Sequence, residues 1–180
     1  LGDDYNTAIF ATDAPEIANG VINPKLNWEK IERDFEDNNS GVIWFDDFIT
    51  EGALKLLNKF LHQSTIWHDF VHIYGFVASY LEEGLACPLL LQIVEEFRSS
   101  LPRLLGDRPL TQAWAFKALQ GGKPIYCHTD DAEISLNFWL TPDIANRRPE
   151  SGGMKIYKQL EPDDWSKMDY KNNQGRIKKF

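Results

Sequence analysis

The chain has 180 residues, of which 43% are hydrophobic and 13% aromatic. That is enough apolar mass for one domain with a real core, and too much for a disordered tail. The 19 basic and 27 acidic residues give a net charge of −8. This balance excludes a general affinity for nucleic acid, which needs clustered Lys and Arg. The one basic cluster, at 176–179, is short and lies at the very end. No run approaches the ~18 apolar residues that would span a bilayer, and no basic segment followed by an apolar one opens the chain. Cys87 and Cys127 lie far apart and form no CxxC pair, so neither a disulfide framework nor a zinc knuckle is expected. A reduced, cytoplasmic setting fits this usage.

Residues 1–26 show no period and read as an extended arm or loop. Asn27 caps a predicted helix over 28–37, ended by Asn38, Asn39 and Gly41. A brief apolar run at 42–45 has strand character. Thr50 caps a second helix over 51–62, whose Leu54, Leu57 and Leu61 recur at helical spacing. Residues 67–81 are aromatic and ambiguous between helix and extended chain. Pro88 opens a third helix that runs over 89–101, with Leu90, Ile93, Val94 and Phe97 on one face and Gly106 closing it.

After Pro109 the pattern becomes strand-like. Short strands are expected at 112–119, 124–128, 134–140 and 154–157, separated by Gly, Pro and Asp turns. Such a succession suits a jelly-roll better than a parallel sheet with crossover helices. The expected fold is α+β: a double-stranded β-helix (jelly-roll, cupin-like) under a helical N-terminal layer. A single domain over 1–180 is expected, with 1–108 mainly helical and 109–180 forming the first part of the roll.

The chemistry concentrates at His128-Thr129-Asp130. In extended chain, side chains two apart point the same way, so one imidazole and one carboxylate enter a shared space. Together they supply two positions of a facial triad, an arrangement that suits Fe(II) because three positions stay open. Alone, His-x-Asp is common and reads first as a surface turn whose aspartate bonds its own backbone.

The flanking residues shift that balance. Gln112-Ala113-Trp114-Ala115-Phe116-Lys117 precedes the tripeptide; Asn137-Phe138-Trp139-Leu140-Thr141-Pro142 and Pro149-Glu150-Ser151-Gly152-Gly153 follow it. The succession resembles the 2-oxoglutarate/Fe(II)-dependent oxygenases of the prolyl-4-hydroxylase-like branch. The likeness covers roughly residues 54–170 and includes Ala86-Cys87-Pro88-Leu89-Leu90. It implies a cytoplasmic enzyme that binds Fe(II) through His128, Asp130 and a second histidine. With 2-oxoglutarate as co-substrate, such an enzyme hydroxylates a C–H bond of a small molecule or peptidyl residue and releases succinate and CO₂. Intact Asp130 argues against halogenation, because related halogenases carry a small residue there.

Other residues are weighed beside this pair. Asn137 can hydrogen-bond the co-substrate from the side shared with Ser135 and Trp139, or be a satisfied interior amide. Trp114 and Phe116 share a strand face and wall the pocket or simply pack the core. Lys117 is expected to be solvated. Many relatives have a tyrosine near the small Ala118, which puts that contact in doubt. Gly152 and Gly153 read as permission for a tight turn. His68 and His72 would share a helix face if helical, with a structural or surface role favoured over chelation.

The resemblance also calls for a later histidine and an Arg or Lys for the far carboxylate of 2-oxoglutarate. The four histidines are His62, His68, His72 and His128, and none follows His128. Three explanations stand: the strands that carry these groups lie beyond the given chain, an earlier histidine substitutes, or the protein is a non-catalytic jelly-roll that binds a ligand or partner. A cupin-type metalloenzyme is disfavoured for want of clustered histidines. No membrane or nucleic-acid partner is expected.

Overall fold

A computed structural model describes residues 10–69, 75–119, 128, 130, 132–150 and 152–157. The chain divides into two compact units, 1–122 and 123–180.

The first unit is built on helices that start where the caps place them. Helix α1 spans Trp28–Glu36, and the Asn27 side chain accepts from the Lys30 N–H. Helix α2 spans Glu51–Gln63, with the Thr50 hydroxyl accepting from the Ala53 N–H. Each cap satisfies an N–H that has no partner inside its helix. Helix α3 spans Pro88–Ser100, with proline in the first turn. Here the structure departs from the single helix expected through residue 101. Leu101 leaves the helical conformation, and a separate short helix α4, Pro102–Leu105, begins. Pro102 explains the break, since a proline disfavours helical dihedrals in the residue before it.

The core lies between these helices. Phe60 of α2, Leu89, Ile93 and Phe97 of α3, and Leu105 of α4 are buried. Trp28 packs edge-on against Phe45, Phe48 and Phe97, at 5.8, 6.4 and 5.9 Å between ring centroids. Edge-to-face contacts of this kind add to the gain from burial alone. Residues 42–45, expected as a strand, form no regular element. Their apolar side chains split instead: Phe45 joins the Trp28 cluster while Trp44 stands exposed.

Residues 10–26 of the N-terminal arm form no helix and no strand, and they are firmly held. Gln92 of α3 accepts from the Ile17 N–H and donates back to the Ile17 carbonyl, at 2.8 and 2.9 Å. Glu96, one turn on, accepts from the N–H groups of Val21 and Ile22 at 2.7 and 3.1 Å. Ser64 and Thr65, just past α2, bind the backbone of Thr12 and Phe10. Val21 is thereby fixed in the core with no exposed surface.

Strands β1 (Phe76–Tyr80) and β2 (Trp114–Ala118) form an antiparallel ribbon in which Phe76 faces Ala118 and Tyr80 faces Trp114. The ambiguous 67–81 stretch thus resolves in part into a strand. Asp69 extends the ribbon through an isolated bridge to Ala78.

In the second unit, residues 134–140 and 154–157 run outside any regular element, and one 3₁₀ turn spans Asp143–Ala145. Gly152 and Gly153 occupy a tight turn, as expected. The Gly152 N–H bonds the Arg148 carbonyl, and a Cβ at Gly152 would sit 2.8 Å from that oxygen. Gly153 has φ +112°, a conformation open to glycine at little cost. The strand expected at 124–128 lies, apart from His128, outside the described residues, and among the described residues the sheet has two strands.

Candidate metal site and its surroundings

His128 and Asp130 stand within 3.5 Å of each other, measured from Nε2 to Oδ1. The side chain of His128 is 55% exposed and that of Asp130 29%. The pair therefore converges at an accessible position, as side chains two residues apart do in extended chain. Two ligands on adjacent vertices, each ~2.1 Å from a metal, lie about 3 Å apart. The observed separation lies about 0.5 Å above that value. Nitrogen and carboxylate oxygen are donors that first-row metals accept. In their chemistry and spacing, the two groups fit two positions around such an ion. Among the described residues, no group of three His, Cys, Asp or Glu forms a complete metal cage.

The other candidates are dispersed. Asn137, Leu136, Phe138 and Trp139 are exposed. His62 is exposed on α2, and His68 is half-buried outside any helix. His72 lies outside the described residues, so the helix-face pairing of His68 with it rests on a conformation that His68 lacks.

Trp114 and Phe116 do share a strand face, but it is the exposed one, at 43% and 53%. Lys117 corrects a second expectation. It is half-buried, not solvated. Its ammonium lies 4.3 Å from the centroid of the Trp67 ring and 3.5 Å from the Leu61 carbonyl. Burial pushes its pKa below the usual lysine range. The long stem buries while the charge finds a π-face and a carbonyl. The signal for this was the neighbouring Trp67, which only the fold brings beside Lys117.

Sequence reasoning also missed two carboxylates of the first unit. Glu32 is 1% exposed. It accepts from the N–H groups of Arg103 and Leu104 at 2.7 and 3.0 Å and pairs with the Arg103 guanidinium at 3.1 Å. In effect it caps α4, which has no side-chain cap of its own. Burial would raise the pKa of Glu96, but the bonds from Val21, Ile22 and Gln92 outweigh it and hold the carboxyl below the usual glutamate range. Both carboxylates are structural.

No family model, no curated protein and no solved structure matches the chain.

Proposed function

We propose that the chain belongs to an Fe(II)- and 2-oxoglutarate-dependent oxygenase that hydroxylates a small molecule or peptidyl residue. His128 and Asp130 act as two of its metal ligands. The observation that carries this reading is the 3.5 Å approach of an imidazole nitrogen to a carboxylate oxygen. It occurs at the tripeptide whose flanks resemble that family.

The role of each residue follows from its chemistry. His128 offers a neutral nitrogen donor, and Asp130 offers an anionic oxygen that offsets part of the ion's charge. Together with a third protein ligand they would leave positions on the ion for co-substrate and oxygen. Bound iron would supply the C–H oxidation, coupled to conversion of 2-oxoglutarate into succinate and CO₂. The Asn137 amide, exposed seven positions after Asp130, is proposed to hydrogen-bond the co-substrate. The third ligand is assigned to a residue outside the described set.

The test is succinate formation by the full chain with Fe(II) and 2-oxoglutarate, run beside His128→Ala and Asp130→Ala. Loss of succinate in both variants is the expected result. Equal turnover in His128→Ala ends the proposal. Absence of iron binding in calorimetric titration would favour the rival reading, a non-catalytic relative that binds a ligand or partner.

A further inference from the structure

Two buried polar atoms without a hydrogen-bond partner, the Nε2 of His68 and the Oγ of Ser79, fall at facing positions of the first unit. Asp69 exchanges both backbone hydrogen bonds with Ala78, at 2.9 and 3.3 Å. The chain at Asp69 therefore lies along β1 and antiparallel to it. The adjoining positions, His68 and Ser79, then face each other, and alternation turns them to the other side of the ribbon from Asp69 and Ala78. Ser79 has no exposed surface there.

A cation shares that side. In the ladder Val77 pairs with Lys117 and Ser79 with Ala115, which sets Lys117 diagonal to Ser79 on one face. Strand β2 flanks β1 on one edge and the Asp69 segment flanks it on the other. The Lys117 side chain crosses beneath β1 between them, because its ammonium reaches to 4.3 Å from the Trp67 ring centroid. Trp67 immediately precedes His68. The two contacts of the ammonium, that ring and the Leu61 carbonyl, are neutral. Among the described residues no carboxylate pairs with it, and Asp69 belongs to the opposite side by its pairing with Ala78.

The three groups have donation in common. An ammonium carries N–H donors only, a serine hydroxyl donates, and an imidazole donates from Nε2 in that tautomer. A buried water often fills such a place, but it leaves the charge of the half-buried Lys117 unbalanced. An anion accepts from all three and supplies the opposite charge. The complete burial of Ser79 selects a small ion. We infer that this side of the ribbon holds a monatomic anion, chloride, among His68, Ser79 and Lys117. The inference concerns the first unit and does not rest on the oxygenase reading, because its test uses neither iron nor 2-oxoglutarate.

Chlorine NMR reads the ion directly: the chloride line broadens when the ion exchanges with a protein site, and a competing halide narrows it again. The full chain is expected to broaden the line. Bromide should reverse this, and gluconate at equal ionic strength should not. A net charge of −8 gives halide little general attraction to the chain. Lys117→Met and Ser79→Ala should each cut the excess broadening about tenfold, as loss of one hydrogen bond to a charged group implies. Thermal unfolding in halide-free buffer checks that both variants remain folded. A Lys117→Met line as broad as that of wild type overturns the inference, as does wild-type broadening that bromide leaves unchanged. A wild-type line no broader than that of buffer also overturns it and assigns the place to water.

Discussion

Glu32 and Glu96 in the first unit and Asp130 in the second are all carboxylates beside a donor or a cation, yet their surroundings differ in kind. Glu32 and Glu96 have their oxygens occupied by backbone N–H groups of distant segments. Asp130 meets an imidazole at 3.5 Å and keeps about a third of its side chain exposed. A carboxylate that ties two segments together has most of its acceptor sites already committed. One that faces solvent beside an imidazole retains acceptor sites for an ion. The comparison separates carboxylates that hold the fold from the one we propose as a metal ligand.

The sharpest way to break this contrast is to remove each carboxylate and measure both stability and turnover. Asp130→Ala is expected to lower succinate formation at least ~100-fold, since a first ligand matters no less than the outer partners that tune it. Its unfolding free energy in urea should stay within about 0.5 kcal/mol of wild type, as for other surface changes. A large loss of stability would place Asp130 with the structural carboxylates.

Glu32→Ala should behave in the opposite way. It leaves two N–H groups of α4 without their acceptor while Arg103 keeps its pairing with Glu36, so a loss of about 1–3 kcal/mol is expected in urea unfolding. Glu32→Gln keeps one acceptor and should cost less. A Glu32→Ala protein as stable as wild type would refute the capping role.

Glu96→Gln probes the same idea through pH. The folded pKa of Glu96 lies below its ordinary value. Its ionised form therefore stabilises the fold above the usual glutamate range, and that contribution is lost as pH falls through the folded pKa. Wild type should lose stability on acidification through this window, and Glu96→Gln should show a shallower acid limb. Identical acid limbs would remove Glu96 from the account of how the arm is held.

Lys117→Met is expected to have the smallest effect, under ~1 kcal/mol and towards stabilisation. The folded pKa of Lys117 is depressed. Between that value and the ordinary one the unfolded chain binds more protons, so wild-type stability rises with pH there. The variant should lack that alkaline rise, which thermal unfolding across the range would read.

Much of the helical layer was legible because its signals are local. Asn27, Thr50 and Pro88 mark helix starts through bonds or dihedrals set within a few residues. Pro102 carried an equally local signal for a helix end. The ribbon was half legible: residues 112–119 have strand character, but nothing local states which face turns inward. Lys117 went in and Trp114 stayed out, a choice set by Trp67 and Leu61 on other segments. At the candidate site, two-residue spacing sufficed to forecast that His128 and Asp130 converge.

By itself, then, the sequence determined the caps, the helix starts and the convergence of His128 with Asp130, because each follows from dihedrals and alternation over a handful of residues. Only the tertiary structure decided that Gln92 and Glu96 clasp the N-terminal arm, that Glu32 caps α4 across 71 residues, and that the ribbon turns its aromatic face outward. Those outcomes arise from desolvation and hydrogen-bond satisfaction summed over segments that meet only when the chain is folded.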